Sequence, residues 1–102
     1  EVYLNISGGY RISDPAADLA VAAALVSALA ERPLPSDAVL FGEVSLSGEV
    51  RPVAHAGLRL KEAAKLGFQR ALVPPSVQDT GGMELKQFRT LANLVDHILG
   101  RD

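Results

Sequence analysis

The stretch Ser13-Asp14-Pro15-Ala16-Ala17-Asp18, followed by the apolar run from Leu19 to Ala30, constrains this chain more than any other part of it. It is built as a helix start. Asp14 can accept from first-turn N–H groups that have no partner inside the helix. Pro15 suits the first position because it lacks an N–H, and Asp18 is favoured by the positive end of the helix dipole. The spacing predicts a helix from about Pro15 to Glu31, stopped by Pro33 and Pro35. Leucine, valine and alanine occupy nearly all of its faces, so burial is expected, with the alanines admitting close neighbours. The preceding Ser7-Gly8-Gly9-Tyr10-Arg11 reads as a glycine-rich strand-to-helix turn. Gly8-Gly9 matches no phosphate-binding fingerprint and the helix start lacks a lysine, so nucleotide binding is not expected there.

The remaining segments alternate in type. Val2 to Ile6 reads as a strand, and Ala38 to Phe41 as a second. Val44-Ser45-Leu46 and Glu49 to Val53, joined through Ser47-Gly48, read as a hairpin in which Pro52 requires an edge or a strand end. A second helix is expected from Ala56 to Leu66, closed by Gly67. Phe68 to Val73 is a strand stopped by Pro74-Pro75, Ser76 to Gly82 a loop, and Met83 to Phe88 a short strand with Leu85 and Phe88 inward. Thr90 then caps a last helix whose Leu91, Leu94, Val95, Ile98 and Leu99 form one apolar stripe, ended by Gly100. The expected fold is α+β (α/β-like), a small mixed β-sheet with three main helices packed on it, in one domain spanning 1–102.

Charge and composition narrow the function. Residues 1–50 carry two basic groups against seven acidic ones, and residues 51–102 carry eight against five, so the chain is polar end to end. Cysteine is absent, which removes disulfides and thiolate metal sites. His55 and His97 have no serine or paired carboxylate at a motif spacing, and both read as ordinary histidines, His97 on the outer face of the last helix. No apolar run reaches the ~20 residues of a membrane span, and no membrane partner is expected. Between residues 51 and 70 the chain carries Arg51, Arg59, Lys61, Lys65 and Arg70, with His55, against Glu62 alone. Such clustering favours phosphate contact through counterion release, and a solvated helix face is the alternative. Aromatic residues do not interleave with these cations, so binding is expected to ignore base sequence.

Several motifs line up with one family. Asp14-Pro15-Ala16-Ala17-Asp18, Pro33, Gly42-Glu43-Val44, Gly48-Glu49-Val50-Arg51-Pro52-Val53, Leu60-Lys61-Glu62-Ala63-Ala64-Lys65-Leu66-Gly67-Phe68 and Val73-Pro74 resemble the proteolytic domain of Lon proteases. They are closer still to the Lon-like C-terminal domain of the RadA (Sms) family of bacterial DNA repair proteins. The likeness runs from about Val2 to Leu99.

Active Lon enzymes place a serine and a lysine where this chain has Ala16 and Arg59, and a supporting threonine where it has Phe41. Arginine stays protonated and cannot serve as the general base. The resemblance therefore implies no catalytic residue and a degenerate, non-enzymatic peptidase domain. It further implies a scaffold of a cytoplasmic, hexameric, ATP-driven motor in recombination, acting in branch migration. Contact with single-stranded or branched DNA would run through Arg51, Arg59, Lys61, Lys65 and Arg70. No cofactor or metal is expected in this domain; ATP, Mg and Zn would belong to other domains. An active Ser-Lys peptidase, or an oligomerising domain without DNA contact, are the alternatives. The chain begins with Glu1 rather than methionine and is expected to be a piece of a longer protein, lacking the first strands of the domain.

Overall fold

The computed structural model describes residues 4–6, 10–12, 15–77 and 82–101, with side chains for 15–77 and 82–101. In chain order the elements are β1 (Leu4–Ile6), β2 (Tyr10–Ile12), a 3-10 turn (Pro15–Ala17), α1 (Asp18–Ala30), β3 (Ala38–Leu40), β4 (Glu43–Val44), β5 (Val50–Arg51), α2 (Ala56–Lys65), β6 (Arg70–Val73), β7 (Glu84–Gln87) and α3 (Leu91–Ile98). The expected α+β class holds.

The strand β6 is the middle of a three-stranded parallel sheet in the order β3-β6-β7. Successive residues of a strand face opposite ways. Ala71 and Val73 accordingly join Phe41, Leu60, Ala63, Val77 and Met83 in one core, while Leu72 joins Leu19, Ala23, Val50, Phe88 and Leu94 in another. The sheet thus carries α2 on one face and α1 with α3 on the other. Burial on both faces explains why Arg70-Ala71-Leu72-Val73 is an unbroken apolar run after its first residue.

Two separate antiparallel pairs complete the described strands. One joins β4 to β5, Glu43 opposite Arg51 and Val44 opposite Val50, with Pro52 just beyond the strand end as anticipated. It is tied to the start of α3, because the Val50 N–H donates to the Arg89 carbonyl at 2.8 Å and the Leu91 N–H to the Gly48 carbonyl at 2.8 Å. The other joins β1 to β2, with Leu4 opposite Ile12 and Ile6 opposite Tyr10. Tyr10-Arg11-Ile12 is therefore a strand rather than part of a turn into the helix. A tyrosine and an isoleucine flanking one polar residue suit a pleated strand, and three residues are too few for periodicity to reveal. The expected cap at Asp14, the Ser7-Gly8-Gly9 segment, Val2-Tyr3 and most of the 76–82 loop fall outside the described residues.

Helix α1 departs from expectation in its second half. Leu19 and Ala23 are buried, but Leu25 is 57% and Leu29 86% exposed, with Ala24 and Ala28 exposed beside them. The helix ends at Glu31, whose φ of 55° is left-handed, and the Arg32 N–H closes the turn onto the Ser27 carbonyl at 3.0 Å. Helix α2 ends as expected with Gly67 at φ 95°. In α3, the Thr90 hydroxyl caps the Asn93 N–H at 3.1 Å, Leu94 is fully buried, and Leu91 and Ile98 pack on the same core.

The start of α1 is joined to the chain after β3 by three hydrogen bonds. The Gly42 N–H donates to the Ala16 carbonyl at 2.9 Å and the Leu19 N–H to the Gly42 carbonyl at 3.0 Å. The third comes from the Val44 N–H, which donates to Oδ2 of Asp18 at 3.1 Å, the carboxylate being only 3% exposed. A Cβ at Gly42 would meet Val50 Cγ1 at 3.1 Å and Leu19 Cδ2 at 3.3 Å, both on packed side chains. Asp18→Ala is expected to strand the Val44 N–H and cost about 1–3 kcal/mol in urea unfolding. Gly42→Ala is expected to overpack the same joint and cost at least about 1 kcal/mol. Unchanged unfolding midpoints would contradict both.

Candidate functional site

Where α1 begins, β3 ends and α2 passes, a cleft of about 590 Å³ opens. Ala16, Ala17 and Ala20 form one wall because three small side chains leave the space unfilled, Phe41 is buried at the floor, and Leu58, Arg59, Glu62 and Ala63 of α2, with Leu66 just after it, form the opposite wall. A smaller depression of about 230 Å³ shares Ala16 and Arg59 and adds Pro15, Glu43, Pro52, Val53 and Ala54. Arg59 is the polar divider of the two, its Nε donating to the Ala54 carbonyl at 3.0 Å. Its aliphatic stem adds to the apolar wall while the guanidinium stays at the rim.

The three positions that the resemblance paired, Ala16, Phe41 and Arg59, do meet at this cleft. A methyl, a phenyl and a guanidinium give neither a nucleophile nor a base. His55, also at the cleft, begins α2 with a left-handed φ of 62° and accepts the Arg59 N–H on its carbonyl at 2.9 Å. His97 is not on the outer face of α3: it is half-buried, its ring 5.3 Å from that of Phe88 and tilted by 60°. Among the described residues no three His, Cys, Asp or Glu side chains could together hold a metal ion, and no helix is long and apolar enough to cross a membrane.

The five cations expected at a DNA surface do not form one patch. Arg59 and Lys61 are two residues apart on a helix, hence about 200° apart around its axis; Arg59 lines the cleft and Lys61 is exposed elsewhere. Three of the others have acids beside them: Arg51 lies 3.7 Å from Glu49, Lys65 3.7 Å from Glu62 and Arg70 3.4 Å from Asp37. Exposed pairs of this kind are worth ~0–1 kcal/mol, so they hold the side chains only loosely. Two cations outside that window, Lys86 and Arg89, line a separate polar depression with Asn93. Their signal in the sequence was only a Lys-x-x-Arg spacing across a strand end.

The family model of subunit ChlI of Mg-chelatase matches residues 2–77. The chain belongs to the ChlI family. The chain is also similar to proteins called DNA repair protein RadA. The one from Brucella abortus (strain 2308) is 69% identical over 74 residues, 72% of this chain and 16% of the relative. Those from Aquifex aeolicus (strain VF5) and Haemophilus influenzae are 51% identical over 86 residues and 46% over 96, which is 83% and 94% of this chain, and 19% and 21% of the relatives. The chain therefore spans about a fifth or less of the length of these curated relatives.

The ChlI match overturns one expectation. The chain groups with an ATPase-type region and not with a degenerate, non-enzymatic Lon peptidase. The physical reason lies in the cleft itself: Ala16, Phe41 and Arg59 were read as lost catalytic groups, but groups that carry no peptidase chemistry do not record that such chemistry was once there. The backbone at the cleft gives a direct check. Left-handed φ costs a non-glycine residue ~1–2 kcal/mol, so His55→Gly is expected to leave thermal stability unchanged or raise it. The β-branched His55→Val is expected to lower it, as differential scanning calorimetry would show.

Proposed function

We propose that this chain is the segment of an ATP-driven DNA repair protein through which copies assemble and DNA is held without regard to base sequence. The likeness to proteins named DNA repair protein RadA supports the setting. The observation that carries the assembly role is the uncovered apolar ridge of α1, with Leu29 86% exposed. A second copy is the occupant that fits it. Leu58 of α2 and Leu66 just after it are also exposed, and Lys61 and Lys65 lie between them in the chain, whereas the end of α1 carries the exposed Glu31. An apolar and acidic face of one copy thus complements an apolar and basic face of the next. A head-to-tail contact of this kind repeats into a ring when its rotation closes, and a hexamer is the ring we propose. The whole protein would bind ATP and Mg, with Zn in a further segment.

DNA contact follows from the exposed cations of the C-terminal half, Arg51, Lys61, Lys65 and Arg70 among them. Phosphates are their fitting partner, since released counterions drive such binding whatever the bases.

Leu25→Glu with Leu29→Glu is expected to shift the chain to monomers in light scattering at concentrations where the parent associates. Self-association unaffected by the double change would remove α1 from the interface. In a fluorescence-anisotropy titration, labelled DNA of unrelated sequences is expected to bind with equal affinity, weakening linearly on a log–log plot as salt rises. A chain that assembles but leaves DNA free at low salt would reduce the role to assembly alone.

A further inference from the structure

Strand β3 is paired on one side only, with β6. Along a strand of a parallel pair, the backbone groups of alternate residues turn to opposite sides. The Arg70 N–H donates to the Asp37 carbonyl at 3.2 Å and the Phe41 N–H to the Leu72 carbonyl at 3.2 Å, so Asp37, Val39 and Phe41 serve β6. Ala38, Leu40 and Gly42 therefore turn the other way. The Gly42 groups are taken by Ala16 and Leu19 at the start of α1, and the Ala38 N–H by the Pro35 carbonyl at 3.3 Å. That leaves the Ala38 carbonyl and both backbone groups of Leu40, which have no hydrogen-bond partner among the described residues. They sit in a half-buried strand, where unanswered polar backbone is costly.

The apolar cleft lies along this open side. It has β3 at its edge and runs between the alanines at the start of α1 and the α2 side chains of Leu58 and Ala63. We propose that the cleft seats a fourth β-strand, supplied by a segment of the same polypeptide outside these 102 residues, which pairs with the open edge of β3.

The composition of β3 is the second argument. Ala38-Val39-Leu40 carries no charge, and Val39 packs on the core beside α2 while Leu40 packs on the core beside α1, as in a strand covered on both faces. At the far edge of the sheet, by contrast, β7 shows Glu84, Lys86 and Gln87 to solvent. Side chains of the added strand would alternate between two flanks. Leu58 and Phe68 call for apolar residues on one, and the alanines leave room for larger ones on the other.

Tethering decides the occupant. The chain spans 16%, 19% and 21% of the relatives from Brucella, Aquifex and Haemophilus, so most of a protein of that kind lies outside it. A strand on the same polypeptide meets the edge at an effective concentration that reaches the millimolar range for a short linker, an advantage that a separate peptide or a second copy lacks.

The test uses the full-length protein. In hydrogen exchange, the Leu40 amide is expected to be as slow as that of Val39, which serves β6, and about a hundredfold or more slower than an unpaired amide. Free exchange at Leu40 beside a protected Val39 would overturn the pairing. In a second experiment Leu58, which is 57% exposed and lines the cleft, is replaced by a photoreactive phenylalanine analogue in a mixture of ordinary and heavy-isotope chains. Mass spectrometry is expected to find position 58 cross-linked to a segment outside residues 1–102, with the same isotope label on both halves. Mixed labels would make a second copy the occupant. A cross-link confined to residues 1–102 of one chain, or none at all, would leave the cleft without an outside strand. Either result overturns the proposal.

Discussion

The joint between the first turn of α1 and the backbone at Gly42–Val44 is what the rest of this molecule hangs on. It brings together residues 26 apart in sequence, Asp18 and Val44, through a carboxylate that is almost wholly buried. A charge in such a place is costly unless hydrogen bonds answer it. Here Oδ2 is answered by the Val44 N–H, while Oδ1 has no partner among the described residues. The two bonds exchanged between Gly42 and the helix start add to this anchor, at a position where a Cβ would crowd the Val50 and Leu19 side chains. Once α1 is fixed there, the position of the β4–β5 hairpin follows, and with it the start of α3, to which the hairpin is tied.

The central strand β6 divides what the molecule can present. Its alternation sends Ala71 and Val73 to α2 and Leu72 to α1 and α3, so both sheet faces are consumed in packing and only the edges remain. The apolar cleft lies at the β3 edge and the cationic depression at the β7 edge. Two surfaces of opposite chemistry, apolar and cationic, are thereby held apart by the width of a sheet.

Much of the fold was legible in the sequence because its signals are local. Gly67 and Gly100 end helices, Thr90 caps one, Pro52 marks a strand end, and the stripe through Leu91, Leu94 and Ile98 names the buried face of α3. Tyr10–Ile12 was not legible as a strand, since three residues hold too little periodicity. The exposure of Leu25 and Leu29 was hidden for another reason: apolar residues declare that something should cover them, not whether the cover belongs to the same chain. The candidate site was less legible still. Counting cations between 51 and 70 ignored the turn of α2, which separates Arg59 from Lys61, and the acids brought in from afar, such as Asp37 beside Arg70. The comparison with known proteins corrected the site's meaning as well, because residues that cannot catalyse peptide cleavage are weak witnesses to an abandoned peptidase.

The outer side of β7 has a consequence for the chain at high concentration. A strand at the rim of a sheet offers a row of backbone donors and acceptors on which another molecule can template itself, and natural proteins blunt that hazard with charged side chains along the rim. Glu84 and Lys86 do so here, with Gln87 polar and exposed beside them, and Leu85 alone turned toward the core. Lys86 is therefore a guard against edge-to-edge aggregation, and replacing it with an apolar residue would unmask the rim of the sheet.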